Sequence, residues 1–115
     1  MYIATVVVSI ALAALLLVSG IGKLRRDPMQ MATLTTVGFP HTHAWLLAAA
    51  EFAGAAGLLL GLAWWPLGVA AATGVIAYFI GATLAHVRVR DYKLTGPLAL
   101  LLLSAATLLI RTLSA

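Results

Sequence analysis

Glu51 is the lone ionisable residue in the stretch Ala44–Ala63, which is otherwise apolar and rich in alanine and glycine. A charged group held in hydrocarbon costs about 2.5–3.5 kcal/mol on insertion scales, so it normally has a partner and commonly a task. If the apolar stretches are helices crossing a bilayer, Glu51 lies roughly 10 Å inside the interface that precedes Ala44, at about 1.5 Å per residue. Lys23 and His86 end neighbouring stretches on that same side, and a lysine stem is long enough to reach back into the core. His86, Thr83 and Phe79 share one helical face, while Tyr78 falls near the depth of Glu51 but about 80° around the helix from His86. Two readings of this set stay open. Glu51, His86 and Lys23 handle protons or grip a ligand, with Thr83, Phe79 and Tyr78 lining its pocket. Alternatively, the acid is structural, neutralised by a helix-end base or by a proton, and specifies how helices pair.

The elements that must position these groups follow from composition. Hydrophobic residues make up 63% of the chain and charged residues 9%, with a mean hydropathy of +1.10. That is a membrane composition. A hydrocarbon core about 30 Å thick takes roughly 20 apolar residues per helix, and the chain divides accordingly into Tyr2–Gly22, Ala44–Ala63, Leu67–His86 and Gly96–Leu113. The expected fold is an all-α membrane protein, a four-transmembrane-helix bundle forming a single domain over residues 1–115. The first stretch has no basic leader and runs into Lys23, Arg25 and Arg26, so it reads as a retained span. Cysteine is absent, which removes disulfides, thiolate nucleophiles and cysteine-held iron–sulfur clusters from this chain. A redox role would then need quinone, haem or a partner.

Lys23, Arg25 and Arg26 on one loop and Arg88, Arg90 and Lys93 on another flank the spans on one side, opposite the uncharged Trp64–Trp65–Pro66 turn. The positive-inside rule places loops 23–43 and 87–95 in the cytoplasm and both termini outside. Arg111, on the other side, is expected to snorkel to the headgroups. Span flanks account for the basic pI, and nucleic acid is not an expected partner. Asp27 followed by Pro28 reads as an N-cap with proline at the first helical position, and Gly38 and Pro40 close the segment, so a short interfacial helix is expected over about 28–37. Thr42 is a candidate cap for the second span, and Thr95–Gly96–Pro97 opens the fourth.

Small residues recur at steps of four and three on both central helices, at Ala50, Gly54, Gly57 and Gly61 and at Ala70, Gly74, Ala77, Gly81 and Ala85. Such seams serve close packing within one bundle or docking of another membrane subunit. His41, His43 and His86 raise the question of a haem held between helices, but His41 and His43 precede the second span in a proline-bounded loop and their spacing argues against it. No carboxylate accompanies that pair, so no metal site is expected.

The motifs Gly20-Ile-Gly-Lys-Leu24, Gly38-Phe-Pro40 and Glu51-Phe-Ala-Gly-Ala-Ala-Gly-Leu-Leu-Leu-Gly-Leu62, then Ala85-His86, Asp91 and Pro97, occur in an order that resembles the DoxX-like family of small integral membrane proteins. The resemblance covers nearly the whole chain. It implies a four-helix protein of the bacterial inner membrane. Family roles range from the quinone-linked subunit of a thiosulfate oxidoreductase, through a membrane component associated with oxidative-stress enzymes, to assembly chaperones, so a shared fold does not settle activity. The positions it carries over are Lys23, Glu51 and His86. The leading expectation is a non-catalytic accessory or scaffold subunit that packs against a membrane-protein partner or its own copies in the lipid bilayer. The alternative is an oxidoreductase subunit with quinone as its cofactor.

Overall fold

A computed structural model describes residues 2–90 and 95–114, in which every regular element is helical. Four helices are long and apolar enough to cross a membrane: α1 (Tyr2–Leu24), α3 (Ala44–Leu60), α4 (Trp65–Arg88) and α5 (Thr95–Leu113). The short helix α2 (Pro28–Val37) lies between α1 and α3, followed by a single 3₁₀ turn at His41–His43. Asp91 and Lys93 lie outside the described residues. The bundle is 40 Å along its longest axis, which exceeds the roughly 30 Å of a hydrocarbon core.

The helices form a closed square. Helix α1 packs between α3 and α5, and α4 closes the other side between the same two neighbours. Leu12, Ala13 and Leu16 of α1 meet Ala55 and Leu58 of α3 and Ala72, Val75 and Phe79 of α4 in the core. Lys23, Arg25, Arg26 and Arg88 collect at one end, here the basic end, where α2 touches both α1 and α4. The Trp64–Trp65 turn marks the other end.

Local chemistry sets the boundaries, which differ slightly from the expected spans. Helix α1 continues to Leu24 and stops in a left-handed residue, Arg26 (φ 53°), whose N–H bonds Lys23 O while Asp27 N–H bonds Gly22 O. This is the paired closure of a helix C-terminus. Asp27 accepts from Gln30 N at 3.3 Å and Pro28 occupies the first turn of α2, as an N-cap and proline should. Gly38 (φ 76°) ends α2 the same way that Arg26 ends α1, with Phe39 folded back to Leu34 O. Helix α3 ends at Leu60, short of Ala63. Helix α4 begins at Trp65 because Pro66 fits its first turn, and it outruns His86 by two residues to Arg88, whose Nη2 donates to Val37 O at 2.8 Å and ties α2 down. Thr42 does not cap α3: the N-cap position is His43, with no side-chain bond, and Thr42 instead meets the His43 ring.

The two small-residue seams point in different directions. A Cβ at Gly54, Gly57 or Gly61 would lie 2.9 Å from Val75, 2.8 Å from Ala71 and 2.3 Å from Gly68 Cα respectively, so the α3 seam is what lets α4 approach. On α4 the inward face is Gly68, Ala72, Val75, Phe79 and His86. Ala70, Gly74, Ala77 and Gly81 stand on the opposite face and are exposed, and a Cβ at Gly74 or Gly81 would meet nothing within 4 Å.

Arg111 also turns inward. It is buried, and its Nη2 donates to Gly61 O at 2.8 Å while Nη1 donates to Ser114 Oγ at 3.2 Å. The carbonyl it meets lies at the C-terminal end of α3, where the helix dipole favours a cation. That partner holds the side chain in the bundle instead of at the headgroups. Ser104 and Thr107 share its face of α5 and are buried with it, as polar faces in membranes usually are. Arg111→Ala is expected to lower bundle stability by about 2 kcal/mol through the lost charge-assisted bond and the space left. Denaturant titration in detergent should show that loss, with Arg111→Lys partly restoring it; equal stability of all three proteins would refute the role.

Candidate functional site

Polar groups from α1, α2, α3 and α4 converge near the basic end. Lys23 Nζ approaches Glu51 Oε1 at 2.6 Å, and Tyr78 Oη donates to the same oxygen at 2.6 Å. Both distances are those of charge-assisted bonds. Lys23 also donates to Ser19 Oγ at 2.8 Å and to Gln30 Oε1 at 3.0 Å, so all three ammonium N–H groups are used. Gln30 is itself held by Ser19 O, to which its Nε2 donates at 3.2 Å.

Two glycines make this convergence possible. A Cβ on Gly22 would fall 2.0 Å from Gln30 Nε2, and one on Gly20 would fall 2.8 Å from the Phe52 ring. Gly22 thus admits the α2 side chain that holds Lys23, and Gly20 admits α3 beside α1. The motif Gly20-Ile-Gly-Lys-Leu24 is in physical terms a lysine with the two gaps that let its neighbours reach it.

Glu51 is divided in its chemistry. The residue is 2% exposed; Oε1 takes two hydrogen bonds, whereas the buried Oε2 accepts none among the described residues. A buried acceptor without a donor is unfavourable, and it leaves the carboxylate able to accept a hydrogen bond from a ligand while Oε1 keeps its bonds to Lys23 and Tyr78.

Beside this cluster is a cavity of about 600 Å³, walled by Leu34 and Val37 of α2, Leu47 of α3, Tyr78 and His86 of α4 and Leu100 of α5, with Lys23 and Glu51 as its polar edge. Its size and lining are those of a small-molecule pocket, mostly apolar with a few polar groups. His86 is buried on the wall and its Nδ1 bonds Ala82 O at 2.8 Å, which places a proton on Nδ1. Phe79 contributes to the wall and its ring meets Tyr78 edge-on, centroids 5.0 Å apart.

Of the residues singled out from sequence, the structure brings Lys23, Glu51 and Tyr78 into direct contact and sets His86 and Phe79 on the same cavity. Thr83 stands apart. Its hydroxyl donates to Phe79 O at 2.8 Å within its own helix, the usual way a threonine satisfies itself away from water, and it is no part of the wall. His41 and His43 sit at the α2–α3 junction, where His41 Nε2 meets Thr35 Oγ1 at 2.8 Å. Among the described residues no group of His, Asp and Glu is arranged to hold a metal. Sequence reasoning missed Ser19 and Gln30, although Gln30, three residues after the Asp27 cap, carried a signal of its own.

These features define a multi-helix membrane protein with an ion pair buried between its spans and a cavity next to it. The chain belongs to the DoxX-like family, whose model matches residues 7–107. No curated protein and no solved structure matches it.

Proposed function

We propose that this protein binds an amphipathic ligand of the quinone class in the cavity at its basic end. The observation that carries the reading is Glu51, with one oxygen saturated by Lys23 and Tyr78 and the other unpartnered, at the edge of an apolar cavity. A quinone has an apolar ring flanked by carbonyls; two electrons and two protons convert it to a quinol, whose hydroxyl can donate to the unpartnered Oε2 of Glu51. Glu51 and His86 are the groups that exchange protons there, Lys23 holds the carboxyl charge in place, and Tyr78 positions Oε1. The chain has no thiol, so electrons come from a partner in a larger oxidoreductase. In this reading the protein lies in a bacterial inner membrane with the basic loops cytoplasmic and both termini outside.

A second reading, a non-catalytic accessory subunit, is favoured by the outward face of α4, where Ala70, Gly74, Ala77 and Gly81 offer a surface for another helix. Mass spectrometry of everything retained after mild extraction separates the two. The ligand reading expects quinone with the wild-type protein and at least about tenfold less with Glu51→Gln, the equivalent of one charge-assisted bond of about 1.5 kcal/mol. A stoichiometric membrane partner that stays with Glu51→Gln, with no quinone in either sample, would decide for the accessory subunit.

A further inference from the structure

Glu51 and Tyr78 line a second hollow besides the cavity. It is a groove of about 430 Å³ between α3 and α4, bounded by Leu16, Ala50, Ala53, Gly54, Ala71 and Gly74. Chain direction fixes how the two are arranged. Helix α3 runs away from the basic end and α4 runs towards it, so Leu47 and His86 lie on the basic-end side of the Glu51–Tyr78 contact, whereas Gly54 and Ala71 lie on the far side. The cavity and the groove therefore follow one another along a single α3/α4 cleft and meet at the polar pair. From Tyr78 to Ala71 the groove runs roughly 10 Å at about 1.5 Å per residue, towards the middle of the bilayer.

We infer that this groove is the channel for the apolar tail of the ligand, with the head at Lys23, Glu51 and Tyr78 and the chain leaving between α3 and α4 into the lipid. The inference rests on the quinone-class reading above and adds to it a specificity: the ligand has a long isoprenoid or similar chain. Three observations converge. The groove abuts the one carboxyl that, among the described residues, has an unpartnered buried oxygen. Its rim residues Ala50, Ala53 and Gly74 are small and exposed, so a chain can pass from lipid without any helix moving. Its direction keeps the tail in hydrocarbon while the head stays at the depth of the basic end. The outward small residues of α4 thus have a use that neither bundle packing nor helix docking requires: Gly74 forms the groove, and Ala77 and Gly81 continue the cleft beside the cavity.

The test compares a single-isoprenoid ubiquinone with a long-tailed ubiquinone, each bound to the full chain in lipid nanodiscs and expressed per mole fraction in the bilayer. Gly74→Leu projects a side chain from a site where Cβ meets nothing within 4 Å, so it fills the groove without disturbing the bundle; Ala53→Leu fills it from the opposite wall and carries the test if the first variant fails to fold. The wild-type protein should favour the long tail, and each variant should lose that preference several-fold while binding the short quinone as before. An unchanged long-to-short ratio in both variants overturns the tail channel while leaving the head site standing. Binding of neither quinone to the wild-type protein overturns the head reading and the channel with it. Release of a co-purifying membrane polypeptide by Gly74→Leu, at an unchanged ratio, would show that the groove holds a helix.

Discussion

Lys23→Met should lower the stability of the bundle by about 3–5 kcal/mol, the range found when one member of a buried ion pair is removed and the other is left behind. The side chain of Glu51 is 1% exposed, and with Lys23 gone its only remaining donor among the described residues would be Tyr78. The reverse change is milder for a reason visible in the geometry. Glu51→Gln leaves Lys23 bonded to Ser19 and Gln30, the lysine side chain is 11% exposed, and its flexible stem can carry the charge towards the headgroups. A cost of about 1–2 kcal/mol is expected there, near that of one charged hydrogen bond. The double variant Lys23→Met/Glu51→Gln, with neither charge present, should recover most of the Lys23→Met loss. Denaturant titrations of the four proteins in one detergent give the coupling directly. Equal losses from the two single variants, or a double variant no better than Lys23→Met, would mean that the pair is not the coupled unit drawn here. This asymmetry also makes Glu51→Gln the right probe of ligand binding, since it removes the charge and keeps the helices together.

The reason Lys23 and Glu51 could be paired from sequence is that depth in a membrane is nearly a linear coordinate. Once the spans and the basic flanks are drawn, residue number converts to height, and Lys23, Glu51, Tyr78 and His86 fall at the basic end. Rotation about each helix is a different matter. Periodicity tells which residues share a face but not where that face points, and this explains the uneven legibility of α4. Its small residues are visible at steps of four and three, yet Val75, Phe79 and His86 turn towards the core and the small face turns out. In water the more hydrophobic face would choose the inside; in lipid both faces are apolar and packing volume decides.

Two further side chains show where local rules give way to tertiary ones. Gln30 follows its cap at the spacing of a capping box, which would have it fold back on the Asp27 N–H. Instead, it reaches to Ser19 and Lys23 of α1, because Gly22 leaves room and a partly buried ammonium is the stronger attraction. Arg111 sits near a helix end, where snorkelling is the usual outcome, and the signal against it was the companion face of Ser104 and Thr107, which marks the side of α5 that faces protein.

Among the glycines, the tightest approach of backbone to backbone lies at the far end from the candidate site. Gly61→Ala should cost about 3 kcal/mol, at the upper end of what overpacking does, although Gly61 is in an ordinary helical conformation (φ −67°) that alanine adopts without strain. The penalty is purely one of space. The added Cβ would lie 2.3 Å from Gly68 Cα and 2.5 Å from Gly68 N, and because both are backbone atoms no rotamer change relieves the clash. The α3–α4 hairpin would have to open, which also pulls Gly61 O away from Arg111 Nη2 and unseats α5. Gly57→Ala faces only the Ala71 Cβ, at 2.8 Å, and should fall between. Gly74→Ala meets nothing and should be neutral or gain about 0.5–1 kcal/mol from the lower backbone entropy of an unfolded alanine. The order of stability is therefore Gly74→Ala, then Gly57→Ala, then Gly61→Ala, read from unfolding midpoints in a common detergent. If Gly61→Ala proved as stable as Gly74→Ala, the close approach of α3 to α4 at the tryptophan end would be wrong. The register that brings Tyr78 to Glu51 further along the same helix pair would then lose its anchor.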